Sequence, residues 1–149
     1  GAAWEGIRTT VIPSDSNARD AFRRWVRPRA KHVDGYAHQS IVDDLRNDFD
    51  IVLSGRDAAD ELDMPAGATI GQIQLYLMLS KYNDLIERRR VQVPTVRANL
   101  CMHVVNDDQW PFAARQRYTD AIVTWLDLAD SDDRAESLAR DYLIRLQRA

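Results

Sequence analysis

The stretch Thr69-Ile-Gly-Gln-Ile-Gln-Leu-Tyr-Leu-Met-Leu-Ser-Lys-Tyr-Asn-Asp-Leu-Ile86 decides the predicted fold. Thr69 and Gln72 have the T-x-x-Q spacing of a helical capping box, and apolar residues continue from there to Ile86. The five apolar residues from Leu75 to Leu79 would point to every side of a helix, so neighbouring elements must enclose it. We therefore predict a central core helix that ends in the basic run after Glu87.

Two further helices are predicted upstream of this stretch. The first follows the candidate N-caps Ser14, Asp15 and Ser16 and ends at Pro28, because a proline disfavours helical backbone at the preceding residue. The second begins at Ser40. At helical spacing, the inward residues of the two helices are Phe22, Trp25 and Val26 in the first, and Ile41, Leu45 and Phe49 in the second.

Downstream, residues 91–105 combine valines that favour a strand with residues that are comfortable in a helix, and we predict a helix from about Thr95. Pro111 suits the first turn of the next helix, and Ser131 suits the N-terminus of a last one. The residues expected to face the core are Phe112, Tyr118, Ile122, Trp125 and Leu126, followed by Leu138, Tyr142 and Leu146.

These elements predict a mainly α protein, a compact bundle of about five helices. Residues 1–149 show no internal repeat and no linker long enough to separate two domains, so a single domain is expected. Residues 1–13 include the β-branched run from Ile7 to Ile12 and are read as a short strand or an extended arm that Pro13 ends.

Composition excludes several classes of protein. The net charge is -3, so only a local patch would attract nucleic acid. Cys101 is the single cysteine, which rules out an internal disulfide. The sequence shows neither an apolar run of about 20 residues that would span a membrane nor a signal-type segment. We expect a soluble, intracellular protein.

Arginine dominates the positive charge, since only Lys31 and Lys81 among the 20 cationic residues are lysines. A guanidinium grips phosphate or carboxylate with two parallel hydrogen bonds. Either a GC-rich genome or an anion-binding role accounts for this bias. The candidate nucleic-acid or anion site consists of Arg19, Arg23, Arg24, Arg27, Arg29 and Lys31.

An acidic segment follows the basic cluster. Residues 43–63 carry eight carboxylates against Arg46 and Arg56. These carboxylates form either a solvated helix surface or an acidic interaction strip that steers a basic partner. The candidate strip consists of Asp43, Asp44, Asp48, Asp60 and Glu61.

No motif names a reaction, so we assign no catalytic residue, no metal site and no cofactor. His32 and His38 are expected in a loop without a matching ligand set. His103 lies two residues from Cys101, and on the predicted helix this spacing would point the two side chains to different sides. Core packing is the expected role of both Cys101 and His103.

Three functions remain open. The preferred one is a non-enzymatic, self-associating coat- or nucleocapsid-like subunit, with copies of itself as partners and an Arg face that binds RNA or DNA phosphates. The alternative is a small acidic adaptor, inhibitor or immunity-type protein that binds a basic protein. The third is an enzyme whose site comes from dispersed residues. None of the three involves a membrane.

Overall fold

A mixed β-sheet lies at the centre of the part of the chain that the structure describes. This computed structural model describes residues 30–63, residues 72–131 and Ile144. The prediction of a mainly helical bundle is therefore wrong. In chain order the elements are β1 (Ala30–Gly35), α1 (Gln39–Arg46), β2 (Val52–Ser54), α2 (Gly55–Glu61), β3 (Ile73–Met78), α3 (Leu79–Glu87), β4 (Leu100–Val105), a 3₁₀ turn (Asp107–Gln109) and α4 (Ala121–Ser131).

The four strands are ordered β1-β4-β3-β2 across the sheet. β1 runs antiparallel to β4, and β2 runs antiparallel to β3. β3 and β4 are parallel neighbours, and α3 lies between them in the chain. Parallel strands need a crossover connection, usually a helix, and α3 supplies it.

The predicted central helix is a strand followed by a helix. β3 takes up the first part of the apolar run, where Leu75 and Leu77 pack on one face of the sheet and Tyr76 on the other. A central strand buried on both faces needs apolar residues at every position, so its sequence looks like that of an enclosed helix. Helical backbone begins only at Leu79 and ends at Glu87, as the basic run predicted.

Residues 100–105 form β4 and not the helix expected from about Thr95. All six residues of β4 are buried, and the strand pairs with β1 on one side and with β3 on the other. The strand preference of Val104 and Val105 therefore outweighs the helical preference of Leu100 and Met102, because the sheet buries both faces of this segment. Cys101 and His103 consequently lie on the same face.

Helix α1 forms where a helix was predicted but has a different cap. Its N-cap is His38, whose Nδ1 accepts a hydrogen bond from the backbone N–H of Ser40 at 3.2 Å. Leu45 is buried as expected. Phe49 lies beyond the end of the helix and is 71% exposed, so its assignment to the core is wrong.

Helix α4 begins ten residues after Pro111, at Ala121. Burial of Phe112, Ile122, Trp125 and Leu126 is confirmed, although Phe112 precedes the helix. Ser131, the predicted start of a last helix, lies within α4.

Each face of the sheet has its own hydrophobic core, because successive strand residues point to opposite faces. We call them the α1/α3 face and the α2/α4 face, after the helices that supply residues to each cluster. The buried helix residues on the first are Val42, Leu45 and Leu85, and those on the second include Ala59, Ile122 and Trp125.

The predicted N-terminal arm, the first basic helix and the inward residues of the last helix lie outside the described residues. The single-domain prediction for residues 1–149 stays a prediction. Among the described residues, no helix combines the length and the apolarity needed to cross a membrane.

Candidate metal centre

The structure places only one residue of the predicted anion site. Lys31 lies on β1 and is exposed. The other members of that site, Arg19, Arg23, Arg24, Arg27 and Arg29, lie outside the described residues.

The predicted acidic strip is divided between two helices. Asp43 and Asp44 lie on α1, with Asp48 just after it, whereas Asp60 and Glu61 lie on α2. These helices pack against opposite faces of the sheet. Asp44 lies 3.9 Å from Arg90, and Asp48 forms a 2.6 Å ion pair with Lys81. Both carboxylates therefore have basic partners within the chain.

Two rows of cross-strand neighbours on the α2/α4 face are polar except at Val52. A core-facing sheet surface ordinarily carries apolar side chains, so these rows stand apart from the rest of the sheet. From β1 to β2, the first row is Asp34, Cys101, Gln74 and Ser54, and the second is His32, His103, Tyr76 and Val52.

Three atoms of the kinds that bind metal ions converge at the β1 and β4 end of these rows. Cys101 Sγ lies 3.1 Å from His32 Nε2, and the same nitrogen lies 2.9 Å from Asp34 Oδ1. All three atoms lie within 4.8 Å of one another. The antiparallel register explains the cluster, because it sets Asp34 opposite Cys101 and His32 opposite His103.

The cluster lies at the boundary between the core and solvent. Cys101 is 7% exposed on the inner strand β4, whereas the side chains of His32 and Asp34 on the edge strand β1 are 56% and 53% exposed. The thiol is therefore held in place by packing, while the imidazole and the carboxylate have room to adjust.

The cluster does not have the arrangement of a Cys-His-Asp catalytic triad. In a triad the imidazole uses one ring nitrogen for the nucleophile and the other for the carboxylate. Here His32 Nε2 faces both the sulfur of Cys101 and the carboxylate of Asp34. One nitrogen cannot accept the thiol proton while it donates to the carboxylate, so the geometry favours shared coordination over proton relay.

Behind the cluster, a buried carboxylate anchors α4 to the sheet. Ser54 Oγ donates to Asp127 Oδ2 at 2.5 Å, and the Tyr76 hydroxyl lies 3.0 Å from the same oxygen. Thr119 Oγ1 donates to Ser54 Oγ at 3.0 Å. Asp127 is 1% exposed, and a carboxylate so deeply buried needs these donors. The network ties α4 to β2 and β3, and β3 is the neighbour of the strand that carries Cys101.

Sequence reasoning missed the cluster for two separate reasons. The i, i+2 pairs His32/Asp34 and Cys101/His103 share a face only on a strand, and both segments were assigned other structure. His32 and Cys101 are also 69 residues apart in the chain, so no local motif joins the two pairs. The one available signal was that each pair has the spacing that a strand places on one side.

Comparison with protein-family models, curated proteins and solved structures finds no match to this chain.

Proposed function

We propose that the protein binds a divalent transition metal ion of the zinc class through Cys101, His32 and Asp34. The observation that carries the proposal is the convergence of one sulfur, one nitrogen and one oxygen ligand atom within 4.8 Å. The tetrahedral zinc sites of proteins use these ligand types.

The distances are close to those that a bound ion requires. Metal–sulfur and metal–nitrogen bonds of about 2.3 and 2.0 Å in a tetrahedral site hold the two ligand atoms about 3.5 Å apart. Cys101 Sγ and His32 Nε2 lie 3.1 Å apart, so they need to separate by only a few tenths of an ångström. The exposed side chain of His32 can make that adjustment. Among the described residues the cluster supplies three ligands, so a four-coordinate ion takes its fourth from outside this set.

The charges also balance. Cys101 binds metal as a thiolate and Asp34 as a carboxylate, while His32 binds as a neutral imidazole. Two negative ligands neutralise a divalent ion, which suits a site whose sulfur is buried, because an unbalanced charge there would be costly. The ligand set selects the class of ion, since magnesium and calcium prefer oxygen ligands while thiolate and imidazole favour zinc and its neighbours.

Cobalt(II) provides the test, because it takes zinc sites and reports thiolate ligation through a sulfur-to-cobalt charge-transfer absorption. Titration of the full chain with cobalt(II) is expected to give this absorption at one ion per chain, with displacement by zinc. Cys101→Ser is expected to abolish the band, because it removes the thiolate that produces it. His32→Gln is expected to weaken binding severely without disturbing the core, because His32 is exposed.

His38→Gln is the matched control, since His38 is exposed but caps α1 and lies outside the cluster. Zinc should also raise the free energy of unfolding of the wild type, by about 2.7 kcal/mol at a free concentration one hundred times the Kd. No charge-transfer band in the wild type, or an undiminished band in Cys101→Ser, would overturn the proposal.

A further inference from the structure

His103 lies beside the proposed metal ligands but its Nε2 is already engaged. That nitrogen is 3.8 Å from Cys101 Sγ and 3.4 Å from Gln74 Oε1. A ring nitrogen between a sulfur and an amide oxygen has two possible roles. It either binds the metal with its lone pair, or it carries a proton and donates to its neighbours.

The orientation of Gln74 decides between these roles. Its side-chain Nε2 donates to the backbone carbonyl of Asp127 at 3.3 Å, and that carbonyl can only accept. The amide oxygen therefore faces His103. An amide oxygen is also only an acceptor, so the proton of His103 lies on Nε2, and this nitrogen has no lone pair for a metal.

The ring of His103 is held firmly in this position. It is 6% exposed and stacks on Tyr76, with 4.5 Å between ring centroids. The Tyr76 hydroxyl is in turn bound to the buried carboxylate of Asp127. A rotation that brought Nε2 onto the metal would break the contact with Gln74 and disturb this stack.

We propose, on the basis of the proposed metal site, that His103 is a positioning residue that stays outside the coordination sphere and shares its Nε2–H between Gln74 Oε1 and the sulfur of Cys101. Gln74, oriented by α4, fixes the tautomer that makes this possible. A donor to a metal-bound thiolate withdraws electron density from the sulfur and holds it in one orientation. Partners of this kind typically contribute a factor of about 10 to 100 in metal affinity.

The test uses the sulfur-to-cobalt charge-transfer band of the full chain. His103→Leu removes the donor, and this change is expected to leave the band present at one ion per chain but shifted to longer wavelength. The shift follows because a sulfur without the hydrogen bond gives up electron density more easily. Metal affinity is expected to fall by about 10- to 100-fold. His103→Gln keeps an N–H donor and is expected to restore the wild-type band position.

His32→Gln is the comparison that separates a ligand from a positioning residue. If His103→Leu weakens cobalt binding as severely as His32→Gln does, His103 is a ligand and the inference is overturned. An unshifted band in His103→Leu would also overturn it. Far-UV circular dichroism of the metal-free variants establishes whether each is folded. If His103→Leu does not fold, His103→Gln still tests the inference, because it is expected to keep the wild-type band position. Absence of the band in the wild type would contradict the metal site itself.

Discussion

At the scale of single residues, the spacing of two side chains has opposite meanings in a helix and in a strand. Cys101 and His103 would point to different sides of a helix, but on β4 they share the α2/α4 face. The same holds for His32 and Asp34 on β1. Whether these side chains lie together therefore depends on the backbone conformation, and the residue types alone do not determine that conformation.

Asp107 shows how one side chain stabilises the start of a helix. Its Oδ1 accepts a hydrogen bond from the backbone N–H of Ser80, in the first turn of α3. Hydrogen bonds from the side chain and the backbone of Ser80 lower the pKa of Asp107 below its ordinary value. The contribution to stability is therefore present above the ordinary carboxylate pKa and disappears as the pH falls through the lowered value.

We predict that Asp107→Asn lowers the free energy of unfolding near pH 6, and that its difference from the wild type shrinks as the pH falls below about 4. The lowered pKa means that the unfolded chain takes up the proton first on acidification. Urea unfolding at several pH values measures the difference. Asp108→Asn is the matched control, because no hydrogen bond joins this exposed neighbour to α3 within the described residues. A pH-independent difference for Asp107→Asn would contradict the prediction.

At the scale of elements, the run from Leu75 to Leu79 crosses from a strand into a helix. Leu77 lies in β3 and is fully buried, whereas Leu79 starts α3 and is 39% exposed. The sequence predicted both leucines as members of one core helix, but they occupy different environments. The difference arises because β3 is enclosed by its neighbours in the sheet while the first residue of α3 reaches the surface.

We predict that Leu77→Ala costs about 2–5 kcal/mol of unfolding free energy, the range for a buried leucine that leaves a cavity. Leu79→Ala removes the same atoms from a partly exposed site and should cost clearly less. Urea unfolding of both variants, with equal slopes against denaturant, measures the comparison. Equal losses would indicate that both leucines are buried to the same extent.

The secondary structure of some elements was predictable from the sequence, and that of others was not. The helix after Leu79, the burial of Trp125 and Leu126 and the presence of α1 all follow from apolar spacing, because one buried side is enough to specify such a helix. β3 and β4 were not predictable in this way. Strands buried on both faces lose the alternation that marks a strand, so local sequence does not distinguish them from an enclosed helix.

At the scale of the whole molecule, the interaction between the Arg-rich segment and anions stays a prediction. The segment carries Arg19, Arg23, Arg24, Arg27 and Arg29 in a chain whose net charge is -3. With this net charge, only a local basic patch could attract nucleic-acid phosphates, because the molecule as a whole would not. Self-association and nucleic-acid binding are independent of the proposed metal site and are tested separately.

We predict that protein purified without nuclease elutes as a large particle with excess absorbance at 260 nm, and that high salt dissociates it. Replacing both Arg23 and Arg27 with Glu should release the nucleic acid, since phosphate contacts of this kind depend on charge. Light scattering coupled to size exclusion measures mass and bound nucleic acid together. A clean monomer of 17.1 kDa would contradict this prediction and favour the protein-binding alternative.

The sequence by itself determined the charge distribution, the single thiol, and which segments are apolar enough to be buried. Only the tertiary structure decided that Leu75 and Cys101 lie on adjacent strands, and that Cys101 meets His32 across 69 residues of sequence. The physical reason is that burial acts on apolar area whatever the backbone conformation, whereas strand pairing depends on hydrogen bonds to partners distant in the chain. The candidate metal centre depends on the tertiary structure in the same way, because strand conformation places His32 and Asp34 on one face and the register sets them beside Cys101.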